Sequence, residues 1–275
     1  MSYESMAQDV LKFLDSENID KIILVGHSMG GKVAQTIALL KPELVEGLVV
    51  LDMAPVAYES NEPHWKAVTG IIETLQSVPT GDGASKQTVD RHLQSAIPDP
   101  ALRGFCLTNW NVKGKTWAIP VYKIAHQLDT LAAFDITPAT GTYAGDVFFI
   151  HGGQSKFVRS AHMPTIAQYF PNHMLTTIRG AGHWVHAEAP DDTIALLKRY
   201  LDWWQLTQAS TINSPTTTTT TIATDSSSSD DECPVDGSPV KFPYKVVEKT
   251  DKTTTLQSVQ CQPDSHENDD DEQQQ

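Results

Sequence analysis

Lys21-Ile22-Ile23-Leu24-Val25-Gly26-His27-Ser28-Met29-Gly30-Gly31-Lys32 carries an apolar run directly into a GxSxG sequence. Four consecutive apolar residues, Ile22 to Val25, bounded by Lys21 and Gly26, predict a short buried strand of a parallel sheet. From Gly30 the sequence predicts a helix that stops near Pro42. Ser28 stands at the junction, on a strained strand-to-helix turn where bulk on either side would clash, which explains the flanking glycines. Such a turn lifts the hydroxyl to the top of the sheet. The helix N-terminus behind it points N–H groups at developing negative charge. Ser28 is therefore the candidate nucleophile, and the backbone N–H of Met29 a candidate oxyanion donor.

Working outward, Tyr3 to Glu17 reads as a helix with Met6, Val10, Phe13 and Leu14 in an apolar stripe. Gly47–Leu51, Asp146–His151 and Met174–Ile178 read as further buried strands. Helices are expected over His162–Phe170 and Pro190–Trp204. Strands alternating with helices predict an α/β fold with a parallel sheet. Residues 60–140 interrupt the alternation with polar helices and little strand signal, and read as a helical cap inserted over the site.

After Gln205 the chain changes character. Thr216–Thr221 and Ser226–Ser229 are single-residue runs, and the end reads Asp269-Asp270-Asp271-Glu272 before three Gln. A segment so poor in apolar surface does not offset its ordering entropy, so the predicted division is a folded 1–205 and a disordered acidic 206–275. That tail holds 13 acidic and 4 basic residues, a net −9 of the chain's −14, which leaves −5 for the folded part. Nucleic acid is not an expected partner, because phosphate binding needs clustered Lys and Arg. Three scattered Cys without a CxxC pair predict neither a zinc site nor a disulfide framework. No apolar run reaches the roughly 20 residues of a membrane helix, and no signal peptide or Arg-rich transit segment is present.

Ser28 needs a base. Gly180-Ala181-Gly182-His183-Trp184 forms a Gly-flanked loop after the last predicted strand, from which His183 can take the hydroxyl proton. His186 is the competitor, closer to the following helix, and His27 reads as structural. The acid is harder to place. Gly152-Gly153-Gln154-Ser155 follows the strand ending at His151, and Ser155 stands where an Asp would be expected. Asp52 ends the strand Gly47–Leu51, which should lie beside the elbow strand at about 4.8 Å. It is the preferred acid, against the reading of a turn-forming Asp before Met53-Ala54-Pro55. Asp129, in the cap, is the weaker alternative. No cofactor or metal is expected. A second oxyanion donor would come from a loop after an earlier strand, and only one helix precedes the elbow strand in this sequence.

Met1 to Met6, Val25 to Lys32 (VGHSMGGK), Pro42 to Val45, Leu51 to Val56, Gly152 to Val158 and Gly182 to Ala187 together resemble the α/β-hydrolase family of abhydrolase domain-containing protein 11. That family has relatives among bacterial short-acyl esterases and yeast alcohol acyltransferases. The resemblance spans about residues 1–204, cap included. It implies Ser28 as nucleophile, His183 as base and, from the bacterial relatives, Asp52 as acid; a cap position sometimes given as the acid aligns with Tyr122, which would not serve. It further implies hydrolysis of short- to medium-chain acyl esters or thioesters, mitochondrial residence and, in animals, association with 2-oxoglutarate dehydrogenase. Family members carry strands and a His-Gly oxyanion loop ahead of Tyr3. The expected fold is thus an α/β-hydrolase sheet truncated on its N-terminal side, with an inserted helical cap and an unpaired strand edge prone to aggregation. Two other outcomes stay open: an acyltransferase using the same residues, and a catalytically impaired interaction module.

Overall fold

A computed structural model describes residues 1–136, 141–212, 244–250 and 253–258. Residues 1–198 form one compact unit and 199–275 a second. The Thr and Ser runs and the acidic end, read as disordered from the sequence, lie outside the described residues.

In the first unit, helix α1 (Tyr3–Ser16) leads into strand β1 (Ile22–His27), helix α2 (Met29–Leu40) and strand β2 (Val45–Leu51). Strand β5 (Val147–Gly152) follows the cap, then helix α8 (Met163–Tyr169), strand β6 (His173–Ile178) and the short helix α9 (Val185–Glu188). The four long strands are all parallel, in the order β1-β2-β5-β6. Leu48 and Val50 share the core of one face with Val147 and Phe149, under Val33 and Ile37 of α2 and Ile166 of α8. Their neighbours Val49, Phe148 and Ile150, which point to the opposite face, are also buried. Burial on both faces explains why these strands read as continuous apolar runs instead of alternating. In contrast, β1 lies at the sheet edge, and Val25 is 52% exposed there.

The cap lies between β2 and β5. It consists of α3 (Pro63–Gln76), α4 (Lys86–Leu93), α5 (Pro100–Cys106), a small antiparallel pair β3 (Trp110–Asn111) and β4 (Thr116–Trp117), then α6 (Val121–Ala125) and α7 (Leu128–Ala132). Ser85 caps α4 through a reciprocal bond with Thr88, and the Asp99 side chain caps α5. The cap has its own apolar cluster: Leu75, Val89, Leu93, Ile97, Leu107, Trp110 and Val121. The β3–β4 pair, with Trp110 edge-on against Trp117, was not legible in a segment that reads as helical.

Lys32 fastens the end of the cap to the central helix. Its side chain is wholly buried, and Nζ donates to the carbonyls of Ala132 and Ala133, both at 2.8 Å. The rings of Tyr58 and Tyr3 lie 4.7 and 5.2 Å from it. Burial lowers its pKa to about 7, while Asp135 acts in the opposite direction.

Helix α10 runs Pro190–Ile212, so the expected boundary at Gln205 falls inside a helix. No Gly or Pro interrupts the sequence from Asp191 until Pro215, and Gln and Ala between them favour helix. In the second unit, β7 (Tyr244–Thr250) and β8 (Thr253–Ser258) pair antiparallel, within the stretch read as disordered.

Candidate active site

Ser28 is the single residue between β1 and α2. Its φ of +52° lies in the left-handed region, a conformation that costs a non-glycine residue on the order of 1–3 kcal/mol. The surrounding backbone holds it there: its N–H donates to Leu51 O (3.1 Å), and the Lys32 N–H donates to Ser28 O (3.1 Å). Gly26 has no alternative in this turn, since a Cβ would fall 2.3 Å from Gly30 O. The other tight glycine is Gly31, where a Cβ would meet Gly26 O at 3.1 Å and Val50 Cγ1 at 3.2 Å. A Cβ on Gly30 meets nothing within 4 Å, which corrects the expectation that bulk on both sides of Ser28 clashes. The sequence pattern GxSxG conceals this, because the second close approach comes from Gly31, the residue after it.

Asp52 ends the neighbouring strand and has φ +52° as well. Its N–H continues the ladder to Ile150 O (2.8 Å), and the residue is wholly buried. A buried carboxylate must have donors, and three are present. Oδ1 accepts from the Gly152 N–H at 3.0 Å. Oδ2 accepts from the Ser155 hydroxyl in a short bond and from His183 Nδ1 at 2.7 Å. Because the carboxylate only accepts, Nδ1 of His183 carries a proton and Nε2 is left as an acceptor. Nε2 lies 2.8 Å from Ser28 Oγ. The hydroxyl proton of Ser28 can therefore pass to an imidazole whose other nitrogen is already held by a carboxylate.

The loop bearing His183 comes close to the end of β5, and a Cβ on Gly152 would fall 2.0 Å from Gly182 O. Phe157 packs against the imidazole at a centroid distance of 4.1 Å. On the far side, His27 Nε2 donates to the His183 carbonyl at 2.8 Å. Burial lowers the His27 pKa to about 4, which keeps that ring neutral and its donor in place. His27 is thus a support for the loop, as its position in the elbow suggests. His186 touches the ring of His27 and forms no link with Ser28.

The geometry brings together Ser28, His183 and Asp52, and Met29 opens helix α2 directly after Ser28. Asp129 is elsewhere, lining a cavity of about 510 Å³ with Trp65, Lys66 and His126. Tyr122 is 65% exposed, with its ring tilted against that of His126. Ser155 has a part that the sequence did not suggest. It cannot replace a carboxylate, but from that position it hydrogen-bonds the carboxylate of Asp52. No group of three or more His, Cys, Asp or Glu side chains suited to a metal ion occurs among the described residues.

A family model described as "alpha/beta hydrolase fold" matches residues 1–190. Similar curated proteins include the sn-1-specific diacylglycerol lipase ABHD11 of Mus musculus, 34% identical over 204 residues. A putative esterase/lipase of Haemophilus influenzae is 33% identical over 213 residues, covering 74% of this chain and 68% of the relative. The match to the mouse protein covers 73% of this chain and 65% of the relative, so the chain spans about two thirds of that protein's length. Among solved structures, a marine microorganism esterase superposes with a TM-score of 0.68 at 32% identity, over 72% of this chain and 77% of that one. Parallel sheet, elbow and family match together establish that this chain belongs to the α/β-hydrolase fold family.

Proposed function

We propose that this chain is a serine hydrolase that cleaves short- to medium-chain acyl esters or thioesters through an acyl-enzyme on Ser28. The observation that carries this reading is the unbroken chain of hydrogen bonds from Ser28 Oγ through the His183 imidazole to Asp52. Ser28 Oγ attacks the acyl carbonyl carbon as its proton passes to His183 Nε2. Asp52 holds the tautomer and stabilises the imidazolium. The Met29 N–H receives the oxyanion. Collapse of the tetrahedral species breaks the ester or thioester bond, and His183 returns the proton to the leaving alcohol or thiol. Water then repeats the sequence on the acyl-enzyme and frees the acid and Ser28.

The relatives' names, a diacylglycerol lipase and esterases, support an ester as substrate. Kinetics on p-nitrophenyl esters and acyl thioesters of two to twelve carbons test it. Turnover that declines at long chains and vanishes in Ser28→Ala is expected; equal turnover in that variant overturns the assignment. An ethanol acetyltransferase of Wickerhamomyces ciferrii, 28% identical, favours a second reading in which an alcohol replaces water. Added ethanol would then divert product from acid to ethyl ester. Mitochondrial residence and association with 2-oxoglutarate dehydrogenase belong to the proposal through the resemblance alone, and cell fractionation with co-purification tests them.

A further inference from the structure

Three residues from outside its own loop hold the segment that carries His183. The Gln154 N–H donates to Ala181 O at 2.9 Å, and His27 Nε2 donates to His183 O at 2.8 Å. The third support is a carboxylate. Glu188, the last residue of α9, accepts from the Gly182 N–H at Oε2 (2.7 Å) and from the Trp184 N–H at Oε1 (3.0 Å). Its own N–H donates back to Trp184 O at 2.8 Å, which closes a reciprocal ring. One side chain therefore grips the peptide groups on both sides of His183. Gly182 is fitted to this grip, since a Cβ there would stand 3.1 Å from both carboxylate oxygens.

Glu188 is exposed and makes no ion pair in the described residues, so neither burial nor charge pairing accounts for it. What it does have is two backbone donors that converge on a single carboxylate. Bonds from N–H groups to an ionised acceptor are roughly twice as strong as neutral ones. They act on the one segment of the site that is a loop and not a strand end or helix start. Ser28 and Asp52 are fixed by strands and by strained but hydrogen-bonded backbone, whereas His183 has no such element beneath it.

We propose that Glu188 is a positioning residue: its carboxylate clamps the Gly182 and Trp184 amides and so holds the His183 imidazole between Asp52 and Ser28. This rests on the catalytic reading of Ser28, His183 and Asp52. Glu188 takes no part in proton transfer. It sets a distance, and a displacement of about 1 Å in such a group can cost on the order of 10²-fold in rate.

The test uses the full chain with Glu188→Ala and Glu188→Gln. The amide oxygen of Gln retains one of the two bonds. Two readouts are needed: the far-downfield proton resonance of the His183 Nδ1–H bonded to Asp52, and steady-state kinetics. In Glu188→Ala the resonance is expected to broaden or vanish, with kcat down 10- to 100-fold and KM within twofold. Glu188→Gln should fall between it and the parent protein. Should Glu188→Ala fail to fold, Glu188→Gln alone decides. A sharp, unshifted resonance with unchanged kcat in either folded variant overturns the proposal. A parent protein that shows the resonance but never turns over substrate defeats the hydrolase reading alone, because the resonance still reports whether Glu188 holds His183. A parent protein without the resonance overturns both.

Discussion

In the proposed mechanism Asp52 is the residue on which the site's chemistry turns, and its neighbours carry the argument. A buried carboxylate with donors on both oxygens has one bond left for His183, and that bond sets the tautomer. Asp52→Asn would place an amide where only an acceptor serves, and Nδ1 would lose its reason to be protonated. Loss of kcat by about 10⁴-fold is expected with little change in melting temperature, since comparable tautomer errors cost that much. Asp129→Asn, in the cap cavity, should leave kcat within twofold, and kinetics on both variants would expose an error if the ranking were reversed. Much of this was legible from the sequence. Ser28 and His183 are marked by glycines that only a tight turn or close approach requires, and Asp52 by its place at the end of the adjacent strand. Ser155 and Glu188 were not legible, because their partners are an acid 103 positions away and two backbone amides. No local pattern of side chains announces either.

At the level of elements, the elbow and the helix behind it carry the sharpest steric and electrostatic demands. Gly26→Ala drives a Cβ into the Gly30 carbonyl at 2.3 Å and should break the turn, with loss of activity and a marked drop in melting temperature. Gly30→Ala meets open space in a helical first turn, so its stability should hold or rise, by up to about 1 kcal/mol of helix propensity, and its melting temperature with it. A fall comparable to that of Gly26→Ala would contradict the elbow geometry. Lys32, on the same helix, links stability to pH. Its pKa is lowered to about 7 in the folded chain from an ordinary 10.5, so between those values the unfolded chain binds more protons. Stability should therefore rise with pH across that window. The neutral amine retains two N–H groups, enough for the carbonyls of Ala132 and Ala133. Burial raises the pKa of Tyr3, Tyr58 and Tyr143 above their ordinary 10, so stability should fall again beyond about pH 10. Urea titrations from pH 7 to 11 should show a maximum near pH 9–10 that flattens on its rising side in Lys32→Met.

For the whole molecule, the parallel sheet is what makes one chain bring residues 28, 52 and 183 together. Strands β1 and β2 are adjacent, so their carboxyl ends present Ser28 and Asp52 side by side. The loop after β6, on the same edge of the sheet, supplies His183. Periodicity and glycine placement were enough to read this arrangement. The β3–β4 pair in the cap and the full length of α10 were not readable, since two-residue strands carry no period and a helix without a Gly or Pro stop has no marked end. The most direct measurement of the central proposal is covalent trapping of the full chain with a fluorophosphonate, followed by mass mapping of the adduct. A single modified peptide bearing the phosphonyl group on Ser28, with strong suppression in His183→Ala, is the predicted result. A folded protein that takes up no label, or takes it up at another residue, would contradict it.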